Sequence, residues 1–464
     1  VDVGFNRSDS SNFNIGIDYN RMISDKQVSA VSRRDRLTDS EGFDAYMVYH
    51  TRNNKYLIMG NFSRVKQTVV DQGGIDTTGG FSYFDQRAGV FLQSANSGFK
   101  KRNYHFYHQF SFDSAFQLFQ TFDRTYEEMG FYIPNPMSDK DRSYFDNFYI
   151  SQDSTEDVNT FTTTRLKTGV KGTIGKLFYQ GYYQARDYDF KYAWGNQDTL
   201  NFATDKPQTE GLEHYLGGRV RFAVNKDYLV KGHVEFNLNG NQRLGGDLVI
   251  KDFDAHLIVQ QYEPSFMEKA YLGNHDGWIN NFDRINTLYV DGGYRIGWKN
   301  GHIRPNLKFS TITNYVYFDS TAAPAQVDGT TTLIIPGLQY NMRLFDHVYL
   351  SGDAVYTLVS GNTPEAFPMP QLSVHANIYY NNTFYNGNLE VQGGIDNHWS
   401  SDYYAPDDRV STHQYFLQDR FNVPSYLIAD AYLNIKLTHA YVFAKMNNLV
   451  ELFTQEGYFT APNY

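Results

Sequence analysis

The sequence contains few groups of residues whose types and spacing could carry out chemistry. His105 and His108 are three positions apart in a stretch that predicts a strand, so their side chains point to opposite faces. The clusters of Asp and Asn at residues 9–14, 139–146 and 407–408 lack the spacing of a calcium-binding loop. The sequence has no Walker-type phosphate loop, no G-x-S-x-G and no H-E-x-x-H. We therefore predict a protein that is not an enzyme and that has no catalytic, cofactor-binding or metal site.

A different group of charged residues could act together without covalent chemistry. Each lies on the polar parity of a predicted strand, where both signs of charge are mixed. Such charges can form a field that selects ions in a wet channel, or they can neutralise one another across it. The sequence leaves both interpretations open. The candidate lumen charges are Arg219, Arg221, Lys231, Glu235, Asp353 and Glu390.

Strands with period-two alternation would position these charges. From residue 372 to 381, apolar side chains occupy the even positions and mostly polar side chains occupy the odd ones. Asn386 and Gly387 then supply a tight turn, since both accept the positive φ of hairpin turns, and residues 389–398 alternate again. Similar rows recur at residues 230–238, 348–358 and 427–438.

The connections between the predicted strands alternate between short and long. In a β-sandwich, loop lengths are not expected to differ between the two ends of the sheets. An outer-membrane barrel, in contrast, has short periplasmic turns and long extracellular loops. Short turns are predicted at 172–176, 225–227, 252–254, 299–301, 346–347, 386–387 and 438–439. Long loops are predicted at 195–210, 264–281, 319–329, 361–368 and 401–424.

These patterns predict an all-β fold, a single closed antiparallel transmembrane β-barrel of about 20 strands within a range of 16–22. We expect one barrel domain over residues 1–464. Because lipid offers no partners for backbone groups, a barrel must close, and we expect terminal residues to be lacking at one or both ends.

Composition agrees with a barrel. No run of 18 apolar residues is present, and the mean hydropathy is -0.54, as expected when every second residue is polar. The 38 Tyr and 36 Phe suit aromatic girdles, although ordinary β-propensity also explains them. The absence of Cys argues against disulfides and thiolate metal sites. A net charge of -10, with no evident basic patch among aromatics, argues against nucleic acid as a partner.

The stretch from residue 71 to 102 follows the alternation only weakly. It is too rich in glycine at residues 73–80 for the interior of a wall strand. The sequence allows either an outer loop that folds inward or a short wall strand. The glycine-rich residues 71–80 and the aromatic-rich residues 81–112 could occlude the bore.

Five short stretches, taken in order, resemble the putative porin family of Bacteroidota outer membranes. The resemblance implies a single outer-membrane barrel with a porin function and a location in the bacterial outer membrane. Family members usually have more sequence before the point that matches Val1, and a last strand after the final stretch. The stretches are Asp71-Gln72-Gly73-Gly74-Ile75, Asn274-His275-Asp276-Gly277-Trp278 with Phe282, Asn314-Tyr315-Val316-Tyr317-Phe318, Pro370-Gln371-Leu372 and Gly457-Tyr458-Phe459-Thr460-Ala461-Pro462.

The leading functional prediction is a porin-like channel for passive diffusion of small hydrophilic solutes. The alternative is a non-catalytic scaffold or accessory barrel in a larger outer-membrane complex, with an occluded lumen. A fragment of a TonB-dependent receptor ranks third, because the sequence shows no plug domain, and a membrane-embedded enzyme ranks last. The expected partners are outer-membrane lipid, small hydrophilic solutes and other outer-membrane proteins, with no cofactor.

Overall fold

The structure, a computed structural model, describes residues 1–9, 12–30, 35–76, 78–80, 87–195, 197–199 and 207–452. Within these residues nearly all regular structure is β. None of the helices in the described part of the chain is long and apolar enough to cross a membrane.

Twenty wall strands follow one another along the described chain, and each is antiparallel to its neighbours in sequence. Two of them, β13 and β16, are interrupted by one residue. The strands are β1 (Asp2–Asp9), β2 (Phe13–Asp25), β3 (Arg36–His50), β4 (Tyr56–Val70), β5 (Asn96–Ser111), β6 (Gln117–Ile133), β7 (Thr155–Ile174), β8 (Leu177–Trp194), β9 (Glu210–Asn225), β10 (Tyr228–Asn237), β11 (Gln242–Ile250), β12 (Phe253–Tyr262), β13 (Ile285–Tyr294 and Ile296–Trp298), β14 (Gly301–Thr313), β15 (Thr330–Phe345), β16 (Val348–Tyr356 and Leu358–Gly361), β17 (Leu372–Phe384), β18 (Leu389–Ser400), β19 (Tyr426–Leu437) and β20 (Ala440–Met446).

The strand count depends on how interruptions are treated. With the segments of β13 and β16 counted separately, and with the two-residue strand Gln197–Asp198 included, the described sheet has 23 strands. The predicted number of about 20 strands is therefore close to the number of strands in the described sheet. Among the described residues, no pairing joins β1 to β20.

Connection lengths alternate from one end of the sheet to the other, as predicted. The described connections that follow odd-numbered strands have two to five residues, including every turn that the sequence predicts. Those that follow even-numbered strands are longer, except for residues 238–241 between β10 and β11. We call the two ends the turn end and the loop end.

The long loops contain short elements of their own. Helix α1 (Asp139–Tyr144) is capped by the side chain of Ser138, and helix α2 (Phe266–Lys269) has a capping box formed by Ser265 and Glu268. Short 3-10 turns cover Pro364–Ala366, Tyr385–Gly387 and Leu449–Leu452. Four small hairpins pair Ile75–Asp76 with Gly89–Val90, Ala270–Leu272 with Gly277–Ile279, Val316–Phe318 with Pro324–Gln326, and Asp407–Arg409 with Gln414–Phe416.

Of the two interpretations of the 71–102 stretch, the structure confirms the loop for its first part. Gly73 and Gly74 have φ of 64° and 99°, a conformation that suits glycine and ends the wall strand β4. Leu92, in the same loop, is 1% exposed, and the wall strand β5 begins at Asn96. Residues 81–86 of the predicted occluding segment, and residues 457–462 of the family resemblance, lie outside the described residues.

The alternation gives the sheet one apolar and one polar face. On the apolar face, Ile378 and Leu433 are 49% and 42% exposed, as expected for side chains that face lipid. Long loops pack against the polar face at the loop end, so we call it the inner face and the other the outer face. Because hydrophobic burial occurs mainly under the loops, the loop end contains the protein's compact core.

Contacts between distant loops require the sheet to curl. In a flat sheet, the twelve strand spacings from β6 to β18 would separate them by about 58 Å. Phe131 of β6 nevertheless lies 6.5 Å, between ring centroids, from His413 in the 401–425 loop. His413 is 13 residues beyond β18, a distance of at most about 45 Å when fully extended, and this loop is shortened by its own hairpin. The wall must therefore bend back towards itself.

Candidate functional site

Four long loops meet over the inner face in a buried assembly that we call the loop core. It joins the 71–95, 134–154 and 401–425 loops to the ends of β6, and residues 270–276 of the 263–284 loop pack beside it. Its apolar centre is almost fully buried, which is unusual for loops because their backbone groups must find partners. The buried residues of the centre are Leu92, Ala95, Phe131, Ile133, Met137, Phe145 and Val410.

Asn274 supplies hydrogen-bond partners for backbone groups of this region. Its side-chain oxygen accepts hydrogen bonds from the backbone N–H groups of Ile150 and Ser151, at 3.0 and 2.9 Å. Its amide nitrogen donates to the carbonyl of Ser151 at 2.8 Å and to the hydroxyl of Thr155 at 3.0 Å. A single side chain thus joins the 263–284 loop to the 134–154 loop and the start of β7.

The next residue, His275, fills the space between aromatic rings. Its imidazole stacks on Phe145 with ring centroids 3.6 Å apart, and Nδ1 lies 3.0 Å from the carbonyl of Asn147. Nε2 lies 2.7 Å from the Thr155 hydroxyl. Burial lowers the pKa of His275 to about 4, because the imidazolium ion would lose its hydration. The ring is therefore neutral at pH 7.

Asp276 connects the 263–284 loop to the 401–425 loop. Its carboxylate lies 2.9 Å from Nη2 of Arg409 in the 401–425 loop, and it also accepts a hydrogen bond from Ser411. The side chains of Asp276 and Arg409 are 11% and 21% exposed. This ion pair is therefore largely buried, and removing one partner would leave an uncompensated charge.

Beside this assembly the same loop covers a polar cleft of about 920 Å³. Its floor is the inner face of β8 to β12, and residues 263–269 and 281–284 form its wall. Its volume is in the range of small-ligand sites, although it carries far more polar groups than a typical drug-sized pocket. The aromatic groups that line it are Tyr188, Tyr215, Tyr262, Phe266 and Phe282.

Charges of both signs line the cleft. Arg186 pairs with Glu213 at 2.5 Å, and Tyr215 donates a hydrogen bond to the same carboxylate at 2.6 Å. Across the cleft, Glu263 pairs with Lys269 at 3.0 Å and lies 3.5 Å from Arg284. Burial alone would raise the pKa of Glu263, but these two cations outweigh it and hold the pKa below its usual value.

Three polar atoms in residues that line the cleft are buried and have no hydrogen-bond partner among the described residues. They are Nε of Arg186, Nδ2 of Asn237 and Oδ1 of Asn241. Buried donors and acceptors are normally satisfied, and an unmade bond costs about 1–3 kcal/mol. Two donors and one acceptor therefore lie without a partner beside the cleft.

The six candidate lumen charges all lie on the inner face, but they do not form one cluster. Glu235 lines the cleft and accepts a hydrogen bond from Tyr182 at 2.6 Å. Lys231 pairs with Asp247 at 3.2 Å, Glu390 lies 3.8 Å from Lys436, and Asp353 lies 3.5 Å from His375. Arg219 and Arg221 follow one another on the inner face of β9, nearer the turn end. Their role in selecting ions stays a prediction.

One group of the described residues is close enough to hold a metal ion. His375, Asp396 and His398 lie on the inner face of β17 and β18 with ligand atoms within 4.8 Å of one another. Two imidazoles and a carboxylate suit Zn²⁺ or Fe²⁺. The two rings are stacked, however, with centroids 4.4 Å apart, and Nε2 of His375 is already 2.6 Å from Asp396. An ion would have to tilt both rings and displace that hydrogen bond.

Residues 1–464 match the family described as Putative porin. The chain belongs to the putative porin family. No curated protein matches the sequence. Together with the curled antiparallel sheet, membership in the putative porin family places the chain in the bacterial outer membrane. A Bacteroidota origin stays an implication of the sequence resemblance.

Solved structures with a similar fold are outer-membrane receptors. The siderophore receptor PirA from Acinetobacter baumannii has 9% identity and a TM-score of 0.63, over 97% of this chain and 73% of that one. A mutant of the ferric enterobactin receptor PfeA from Pseudomonas aeruginosa has 9% identity and a TM-score of 0.64, over 97% and 71%. The FrpB iron transporter from Neisseria meningitidis has 11% identity and a TM-score of 0.59, over 97% and 74%.

These neighbours correct the leading functional prediction. Receptors and transporters of this kind point to active uptake of a ligand, so passive diffusion of small solutes is wrong for this member of the putative porin family. They do not favour the scaffold alternative either. The receptor interpretation ranked third in the sequence analysis because no plug domain was visible. The family's description and the names of its structural neighbours therefore differ on the mode of transport.

The sequence alone does not reveal the cleft or the His375 group, for different reasons. The cleft residues are dispersed over five strands and three connecting loops, and no local spacing connects them. The His375 group could have been found from the sequence. The four-residue turn at 385–388 fixes the register of the hairpin, and this register places His375 directly opposite His398.

Proposed function

We propose that this protein is an outer-membrane receptor that binds a small, polar ligand in the cleft beneath the 263–284 loop and takes it up across the membrane. Part of the proposal is that the curled sheet closes into one barrel domain over residues 1–464. The observation that carries the proposal is the cleft with its unpartnered Arg186 Nε and Asn241 Oδ1. The receptor fold of the structural neighbours supports it.

The chemistry of the cleft favours a ligand that carries oxygen anions and flat rings. Arg186, Arg243 and Arg284 line it, and guanidinium groups bind carboxylate and similar oxygens in a forked geometry. Tyr188 and Tyr262 offer ring faces beside them. A ferric siderophore combines both features, and the neighbours PirA and PfeA are named as siderophore or ferric enterobactin receptors.

Binding can be followed by the tryptophan fluorescence of the protein, because one of its four Trp residues, Trp278, packs on Tyr271 in the covering loop. We expect the purified chain in detergent to bind ferric enterobactin or ferric citrate saturably, and Arg243→Gln to weaken binding about 10-fold. The control is Lys226→Gln, in a short turn at the other end of the sheet. Stable open-channel conductance in a planar bilayer, with no saturable binding of either chelate, would contradict the proposal.

A further inference from the structure

A cluster of cations lies on the outer face of β4 to β6, on the opposite side of the wall from the loops. In the pairing of β4 with β5, Arg64 is directly opposite Arg102, and Lys66 is directly opposite Lys100. Arg124 of β6 is opposite Tyr104 of β5. These side chains share the parity of exposed outer-face residues such as Phe106 and Phe122. The cluster comprises Arg64, Lys66, Lys100, Arg102 and Arg124, and we call it the outer cation cluster.

Two like-charged pairs in direct opposition are unfavourable, because cross-strand neighbours on one face lie only about 5 Å apart. The arrangement is more unusual in a chain whose net charge is -10. Neighbouring carboxylates compensate only part of the charge. Glu128 is directly opposite Lys100 and pairs with it at 2.5 Å, and Glu41 is directly opposite Lys66 and lies 3.7 Å from Arg64. No ion pair is present for Lys66, Arg102 or Arg124 within the described part of the chain.

The height of the cluster on the wall indicates what it faces. A row of stacked or tilted rings runs across the outer face beside it, with 6.0 Å between Phe43 and Phe62 and 5.0 Å between Phe62 and Tyr104. Towards the turn end the exposed side chains are apolar, as at Phe106 and Phe110. Aromatic rings on a barrel mark the level of the lipid headgroups. The outer cation cluster therefore lies at headgroup height on the loop-end side.

We propose that the outer cation cluster binds the phosphate groups of a lipid in the outer leaflet. Arg64 and Arg102 lie side by side in the ladder, so two guanidinium forks can hold one phosphate, and Lys66 and Lys100 lie one pair further towards the loops. A bound phosphate converts the repulsion between the opposed cations into attraction. Because all five side chains face outward, a solute in the lumen cannot be the occupant, and the inference does not depend on the proposed function.

The proposal makes a distinctive prediction about stability. Arg64→Gln combined with Arg102→Gln removes the like-charge repulsion together with the phosphate site. In lipid-free detergent, this double variant should unfold on heating at the same temperature as the wild type or higher. When lipid A with two phosphates is added, the wild type should be stabilised and the double variant should not. A variant that merely failed to fold would be weaker under both conditions.

Retention of lipid can be measured directly by native mass spectrometry of the full chain with added lipid A. We expect the double variant to retain at least 10-fold less lipid A than the wild type. Lys226→Gln combined with Lys251→Gln, two exposed cations at the turn end, should retain as much as the wild type. Equal retention by the double variant would overturn the proposal. So would equal retention of phosphatidylcholine, or the same thermal stabilisation by inorganic phosphate alone.

Discussion

The two sides of the 263–284 loop adjoin regions that differ in how completely their polar groups are satisfied. On one side, Asn274, His275 and Asp276 are buried and bonded to two other loops. On the other side, the loop borders a cleft in which Arg186 and Asn241 keep polar atoms without a partner. The loop is therefore held in place by its buried side, and its other side borders an open cleft. A rigid support with an unsatisfied face is what a binding site requires.

The largest effect should come from breaking the ion pair of Asp276 and Arg409, which holds the buried side of the 263–284 loop in place. Arg409→Gln leaves the carboxylate of Asp276 buried without its cation, which should destabilise the loop core by about 3 kcal/mol. Hydrogen exchange of the backbone amides of residues 271–276 should become about 100-fold faster. Arg420→Gln is the matched control, because its pair with Asp407 lies in the same loop but is exposed, and it should change exchange by less than about 5-fold. Equal effects of the two variants would remove the distinction between the two sides.

A smaller effect should follow from acidification. Burial holds the pKa of His275 at about 4, below its usual 6.5, so its contribution is fully present above pH 6.5 and is lost as pH falls towards 4. Asp71 acts in the opposite direction, since burial raises its pKa to about 6 and its contribution is lost as pH rises from 3.8 to 6. The full His275 contribution corresponds to about 3 kcal/mol.

Between pH 7 and pH 5, acidification should favour proteolysis of the 134–154 loop less in His275→Gln than in the wild type. It should favour proteolysis more in Asp71→Asn, which lacks a group that acts in the opposite direction. Each variant thus changes the pH dependence of proteolysis. His439→Gln, in the short turn between β19 and β20, should leave it unchanged. A pH dependence that was the same in His275→Gln as in the wild type would assign it to another group.

The smallest effect should occur on the side of the 263–284 loop that borders the cleft. Ser265→Ala removes the capping box of α2, which borders the cleft, and should cost about 1 kcal/mol. Hydrogen exchange of residues 266–269 should then be several-fold faster, while residues 274–276 keep their protection. If both segments lost protection together, the two sides of the loop would behave as one unit, and the comparison would fail.

Much of the wall could be predicted from the sequence because each strand's alternation is a local property. The rows at 230–238, 372–381 and 427–438 face as predicted, and the short turns lie where glycine, asparagine and aspartate place them. The loop core could not be predicted in this way. Asn274 depends on partners more than a hundred residues away, and no periodicity relates a loop to a loop.

The outer cation cluster also could not be predicted from the sequence. The sequence shows no evident basic patch among aromatics, because Lys66 and Lys100 are separated by a long loop. Without a short turn between β4 and β5, their register cannot be counted from the sequence. The ladder alone brings Arg64 opposite Arg102 and places both beside the rings of Phe62 and Tyr104.

Every wall strand in the described sheet pairs only with the strands before and after it in the chain. A hairpin is therefore a unit that can be duplicated or deleted without rewiring the rest of the wall. Since the diameter of a barrel grows with the number of its strands, evolution could widen or narrow this wall two strands at a time. Each such step would also add or remove one loop at the end where the cleft is built, so the bore and the repertoire of binding loops would change together.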